Sequence, residues 1–255
     1  MANPVKTGGH WYLPNGEPMH FIEKKDGSGL RPTTLADARK LNLLPSVTTI
    51  GKILAAPQLE AWKIDNALTA AITTPRLPNE TDDDFKARVL AVDVESISDA
   101  AKQLGTDVHD AIEKALTAQP YNEALTPYVK PVVETVAQFG AVVWAEKTVV
   151  GEGYAGRGDL LMENDEWLTF LDFKTTGAKT LPKKSYDEHK RQLAAYAATL
   201  GNTGNKRIRT ANIYISTTRP GEVSVCINDE WQEDFATFKM IVALWQRLNN
   251  FTPKQ

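Results

Sequence analysis

Between Trp167 and Thr176 the chain reads WLTFLDFKTT, and both alternating faces of that run stay largely apolar until its end. Trp167, Thr169, Leu171 and Phe173 fall on one side of a strand. Leu168 and Phe170 fall on the other, followed there by Asp172 and Lys174. A strand without a wet face belongs inside a sheet covered on both sides, which calls for helices on each face. The expected fold class is therefore α/β, a central mixed sheet flanked by helices. A carboxylate and an ammonium delivered to the end of such a strand need partners, because an unpaired charge is costly to bury.

The surrounding chain supports this architecture. Residues 1–44 are irregular, with WYLPNGEPMHFIE as a small hairpin. Helical signals begin at LPSVTTIGKIL, where Ser46 is suited to cap the first turn, and a second helix is expected to open at Pro57. TTPRLPNE reads as a loop. A long helix follows from Asp82 to about Ala118, with Leu104, Val108, Ile112 and Ala115 on one apolar face and a break expected near Gly105. Another helix covers about 128–141. The apolar period then drops to that of strands, and the rest reads β-β-β-α-β-β-α, closing on a helix over 230–250. Two regions are expected: 1–100, irregular and helical, forming a wall or arch over a cleft, and 101–255, the core.

The chemistry concentrates in GRGDLLMENDEWLTFLDFKTT. A tight turn at Glu163–Glu166 joins two strands, and the spacing of Asp159 and Asp172 suits a hairpin that brings the carboxylates together. Two such groups repel unless a cation lies between them, and oxygen ligands favour Mg²⁺ or Mn²⁺. Lys174 beside them is placed to orient or deprotonate a water, or to stabilise charge on a phosphate. These parts suffice for phosphodiester hydrolysis.

This pattern, an aspartate, twelve residues, then D-x-K, resembles the PD-(D/E)XK nuclease superfamily. GTDVH at 105–109 resembles the G-T-x-x-H helix motif of its RecB-type exonuclease branch, and QLAAY at 192–196 resembles the Q-x-x-x-Y motif that follows D-x-K. SVTTIGKILAAPQLEAWK at 46–63 is similar to a segment of phage exonucleases and of the mitochondrial genome maintenance exonuclease. The strong part covers about residues 105–200. The resemblance implies a restriction-endonuclease-like core and a metal-dependent exonuclease acting from a DNA end, in phage or bacterial recombination or repair, with a single-strand annealing protein as a partner. It implies His109, Asp159, Asp172 and the Phe173 carbonyl as metal ligands, with Glu146 at the position of a further acid. It also implies Lys174 as the catalytic lysine, with Gln192 bracing the lysine or the attacking water and Tyr196, one turn later, sharing that face in support. A flap endonuclease on the same fold and a catalytically silent DNA-binding module remain open. The chain departs from the family in two places. Its single cysteine, Cys226, cannot supply the four thiolates of the iron–sulfur members, and Gly158 stands where a proline usually precedes the first acid.

A net charge of −3 gives no global nucleic-acid footprint. The candidates for DNA contact are therefore local: Arg157 beside Asp159, Lys183 and Lys190 around the helix start, the hydroxyls of Ser46, Thr48 and Thr49, and Trp62 with Lys63. The hydroxyls read equally well as helix-capping groups and Trp62 as a core residue. The N-terminal stretch has no apolar segment of a secretory signal and no run is long enough to span a bilayer, so a cytoplasmic setting in a bacterial or phage-infected cell is expected, with no membrane partner.

Overall fold

The computed structural model describes residues 9–54 and 57–254, with the side chains at 57–59, 62, 63 and 91–101 outside that description. The chain divides into two compact units. One joins the chain up to Ile53 with the chain from Ala111 onward, and the other is Leu54–Asp110.

The N-terminal part of the first unit has more order than its composition suggests. Strand β1 (Trp11–Tyr12) is followed by a hairpin of β2 (Phe21–Glu23) and β3 (Leu30–Pro32). Helix α1 (Leu35–Leu41) starts with a capping box in which Thr34 and Asp37 satisfy each other's backbone N–H, and Arg31 holds Asp37 at 2.7 Å. Strand β4 (Leu44–Pro45) leads into the short helix α2 (Val47–Gly51), and Ser46 caps it as expected. The expected hairpin over WYLPNGEPMHFIE is a short one, an antiparallel bridge of Tyr12 with Pro18 flanked by Leu13 N–H donating to the Glu17 carbonyl and Met19 N–H donating to the Trp11 carbonyl. The strand partner of Trp11–Tyr12 is Leu44–Pro45, far along the chain. The boundary expected near residue 100 is also drawn differently. Trp11, Leu43, Val47 and Ile50 are buried in the same apolar cluster as Tyr154, Phe170 and Trp245, so the early residues belong with the sheet.

In the second unit, α3 (Pro57–Thr73) opens at Pro57, and the loop after it is tied down by Glu80, which accepts from Arg88 at 2.8 Å. Helix α4 (Asp82–Leu116) runs on into the first unit without the break expected at Gly105. One glycine costs about 1 kcal/mol in a helix, which the turns on either side outweigh.

Helix α5 (Thr126–Val136) precedes the sheet, whose strands are β5 (Ala141–Gly151), β6 (Tyr154–Glu163), β7 (Trp167–Thr176), β8 (Arg207–Ser216) and β9 (Val223–Asn228). Helix α6 (Asp187–Ala197) lies between β7 and β8 in sequence, and α7 (Trp231–Asn249) closes the chain. The five strands stand in sequence order, antiparallel except for the parallel pair β7–β8, whose crossover α6 supplies. The sheet is thus mixed, with β7 well inside it. Phe170 on one face of β7 packs in the cluster that holds Leu193 and Tyr196 of α6 and Trp245 of α7. On the other face Thr169 accepts from Arg209, whose guanidinium lies over Phe139, just past α5. Helices therefore cover both faces, as the apolar run of β7 requires. Among the described residues no helix is long and apolar enough to cross a membrane.

Candidate active site

The parallel pair β7–β8 is regular along ten residues, with Asp172 opposite Asn212 and Lys174 opposite Tyr214. Strand alternation puts these four side chains on the face that α6 covers. Asp172 is buried, its side chain 3% exposed, and Lys174 Nζ approaches both carboxylate oxygens, at 2.7 and 2.9 Å. Asn212 donates to the same carboxylate at 3.1 Å. The buried anion is thus held by a cation and an amide. For Lys174, burial works against the charge, but Asp172 and Asp159 outweigh it and raise the ammonium above its usual range. The lysine is a standing cation, a donor rather than a base.

Asp159 reaches the same place by a different route. Strands β6 and β7 pair only from Leu160 to Glu163 against Leu168 to Leu171, and beyond Leu160–Leu171 they part. Asp159 stands at this fork and accepts the backbone N–H of Phe173 at 2.7 Å. Burial first, and then the like charge of Asp172, push its carboxyl well above the usual carboxylate range, against the pull of Lys174 and the Phe173 N–H. Glu146 adds to that repulsion. It lies on β5 between the pairs Ala145–Leu160 and Lys147–Gly158, opposite Asp159, with left-handed backbone (φ 48°). Burial raises its carboxyl too, against an ion pair with Arg157, while Glu113 and Asp172 contribute further like charge.

The two glycines before Asp159 make room for aromatic rings. A β-carbon at Gly156 would stand 2.5 Å from the ring of Tyr196, and one at Gly158 would stand 2.5 Å from that of Phe170. Glycine at position 158 therefore has a local steric cause.

Helix α6 brings Gln192 and Tyr196 to the same side. Gln192 donates to the Tyr196 hydroxyl at 3.2 Å, one turn along the same helix. Tyr196 is buried against Phe170, and burial holds its phenol far above the ordinary range. It is a core aromatic with a polar edge toward the site. The other residues singled out in the sequence are dispersed. Arg157 is exposed and tied to Glu146, Lys183 is exposed in the loop before α6, and Lys190 pairs with Asp187 at 2.8 Å. Ser46 accepts the N–H of Thr49 and donates to its hydroxyl, and Thr49 accepts the N–H of His10. Those two hydroxyls are engaged in capping, and Thr48, on an exposed position, has its hydroxyl hydrogen-bonded with that of Ser46 at 3.0 Å. His109 is half-buried on α4 in the second unit. The side chains of Trp62 and Lys63 lie outside the described residues. Among the described residues no three or more His, Cys, Asp or Glu side chains are gathered closely enough to hold a metal ion together.

Two residues beside the site escaped sequence reasoning. Asn212 carries the signal of a buried amide inside the apolar strand RTANIYIST. Tyr12, buried on β1, is close enough to feel the charges of Arg157 and Glu146, and nothing local in its sequence marks it.

No protein-family model and no curated protein matches the chain. A solved structure described as "Crystal structure of SSO0001" is similar at 17% identity and a TM-score of 0.32, over 51% of this chain and 62% of that one. The match spans less than two thirds of that structure's own length, and at this score it carries no argument.

Proposed function

We propose that this protein is a divalent-metal-dependent deoxyribonuclease with a restriction-endonuclease-like core, removing nucleotides from a DNA end. The observation that carries this reading is the convergence of Asp159, Asp172 and Lys174 where β6 and β7 part. The donor set fits a hard cation. Both acids offer oxygen. Burial, and then the like charge of Asp172, keep the carboxyl of Asp159 raised, and a cation between the two acids relieves that repulsion. Asp159, Asp172 and the carbonyl of Phe173 would hold Mg²⁺ or Mn²⁺. When bound, such an ion polarises a phosphate oxygen and acidifies a water. The chain's own contribution is orientation and charge. Asp172 fixes the ammonium of Lys174, which stabilises negative charge developing on the phosphate. Asn212 and the Phe173 N–H hold the two carboxylates in place.

End-labelled linear DNA and closed circular DNA, each with Mg²⁺ and with EDTA, test the reading. The linear substrate is expected to be degraded only with metal, and the circle to stay intact. Lys174→Ala is expected to abolish cleavage and keep DNA binding. Cleavage of the circle would make the enzyme an endonuclease, and full activity in Lys174→Ala would overturn the site.

A further inference from the structure

Beyond Lys174 on the same sheet face stands a group that the nuclease reading leaves unused. Tyr214, opposite Lys174 on β8, is 1% exposed, and its hydroxyl is hydrogen-bonded to two neighbours. The backbone N–H of Tyr186 donates to it at 3.2 Å, and His189 Nδ1 lies 2.9 Å away. The Ser185 side chain is close enough to lower the phenol. Burial nonetheless pushes the phenol up to about 12, so it keeps its proton. A phenol has two acceptor positions and one proton. The Tyr186 N–H takes one acceptor position, and the proton of the buried hydroxyl finds its acceptor at Nδ1 of His189. An imidazole that accepts at Nδ1 carries its hydrogen on Nε2.

The other edge of the ring is therefore a fixed N–H donor. The nearest carboxylate oxygen to it, Glu188 Oε1, is 3.6 Å away, too far for a hydrogen bond. The ring is half-buried, with 18% of the side chain exposed, and it feels the charges of both Lys174 and Asp172. Burial, then the positive charge of Lys174, hold its pKa down to about 4. Lys174 already directs its ammonium at both oxygens of Asp172, so an incoming phosphate calls for a further donor.

We propose that His189 is a substrate-contacting residue, its Nε2–H donating to a non-bridging oxygen of the DNA phosphate beside Lys174, with Tyr214 as the positioning residue that fixes the tautomer. This rests on the nuclease reading and extends it to a phosphate-recognising dyad. A neutral, preset donor adds a hydrogen bond to the phosphate without placing a second cation against Lys174.

The test compares His189→Phe, which removes the donor, with His189→Gln, whose side-chain amide returns an N–H near the Nε2 position. Cleavage of end-labelled linear DNA with Mg²⁺ is measured as kcat and KM, and melting temperatures check folding. His189→Phe is expected to lower kcat/KM by roughly 100-fold, the scale for losing one charge-stabilising donor. His189→Gln is expected to recover most of that loss. In parallel, ¹⁵N NMR of the imidazole in EDTA, with and without a short duplex, is expected to show an unprotonated Nδ1, a protonated Nε2, and a shift of Nε2 on adding DNA. Wild-type kinetics in His189→Phe, equal losses in both variants, a protonated Nδ1, or an Nε2 signal blind to DNA would each overturn the proposal. If the wild-type protein cleaves nothing with Mg²⁺ or Mn²⁺, the nuclease reading fails, and the NMR arm still decides the phosphate contact.

Discussion

The sheet has a regular half and an irregular half, and the site draws one acid from each. Along β7 and β8 the ladder is unbroken, so Asp172, Lys174, Asn212 and Tyr214 sit where alternation puts them. Along β5 and β6 alternation fails. Trp144 and Val149 pack in one apolar cluster, as do Tyr154 and Leu161, although each pair is an odd number of residues apart. The faces are reset across Glu146, with its left-handed backbone, and Asp159 opposite it. The regular half fixes a paired charge. The irregular half delivers an acid that accepts a backbone N–H and is drawn by Lys174, but is opposed by burial and by the charges of Asp172 and Glu146. Left-handed backbone at a non-glycine residue next to such a site fits the tendency of strain to gather where chemistry is done.

The sharpest way to break this comparison is to remove one charge from each half. Lys174→Ala should lose roughly 10³-fold in cleavage, near the upper range for deleting a transition-state donor. It should also lose about 3–5 kcal/mol of stability in urea titrations, because buried Asp172 is left unpaired. Asp159→Asn should lose activity as severely, yet in EDTA at pH 7 it should be more stable than the wild type. A carboxyl raised in the folded state opposes folding when ionised, and the amide can still accept the Phe173 N–H. Mg²⁺ should raise the melting temperature of the wild type and leave that of Asp159→Asn unchanged. Loss of stability in both variants would erase the distinction between the halves.

Gly156→Ala probes the irregular half sterically. Its β-carbon would press on the buried ring of Tyr196, and a cost of about 1–3 kcal/mol is expected in denaturant midpoints. In the regular half, His189 gives a pH dependence. Its pKa is lowered to about 4 in the fold from 6.5 in the reference state. Between those values the unfolded chain binds the extra proton, so the His189 contribution is intact above about pH 6.5 and is lost as pH falls toward 4. The difference between wild type and His189→Gln across that window should reach about 1–3 kcal/mol in urea titrations. The smallest effects are expected away from both halves. Ser46→Ala removes a cap and should cost about 1 kcal/mol. Thr48→Ala, on an exposed side chain, should stay within about 0.5 kcal/mol. A DNA-affinity loss in Thr48→Ala at unchanged stability would assign that hydroxyl to substrate rather than to the cap.

Most of the core was legible because its signals are local. The change of period after α5, the doubly apolar run of β7 and the cap at Ser46 each depend on neighbours within a few residues. The N-terminal strands were not legible, because β1 is a strand only by virtue of Leu44–Pro45 and an apolar cluster assembled from across the chain. Gly105 misled for a related reason, since a local helix penalty is small against the helical turns around it. In the site, Asp172 and Lys174 follow from alternation, whereas Asn212 and Tyr214 enter through a parallel pairing whose register no turn sets.

What the sequence determined alone is the buried strand and the polar pair at its end, since a two-residue period and side-chain polarity are properties of the segment itself. Tertiary structure decided where Asp159 goes and how the ring of His189 is protonated. The first depends on two strands parting after a short ladder. The second depends on a phenol whose hydrogen-bonding positions are filled by residues from a different element. Such properties arise only when separate segments share one low-dielectric space, where each polar group must find its partners among whatever the fold has placed beside it.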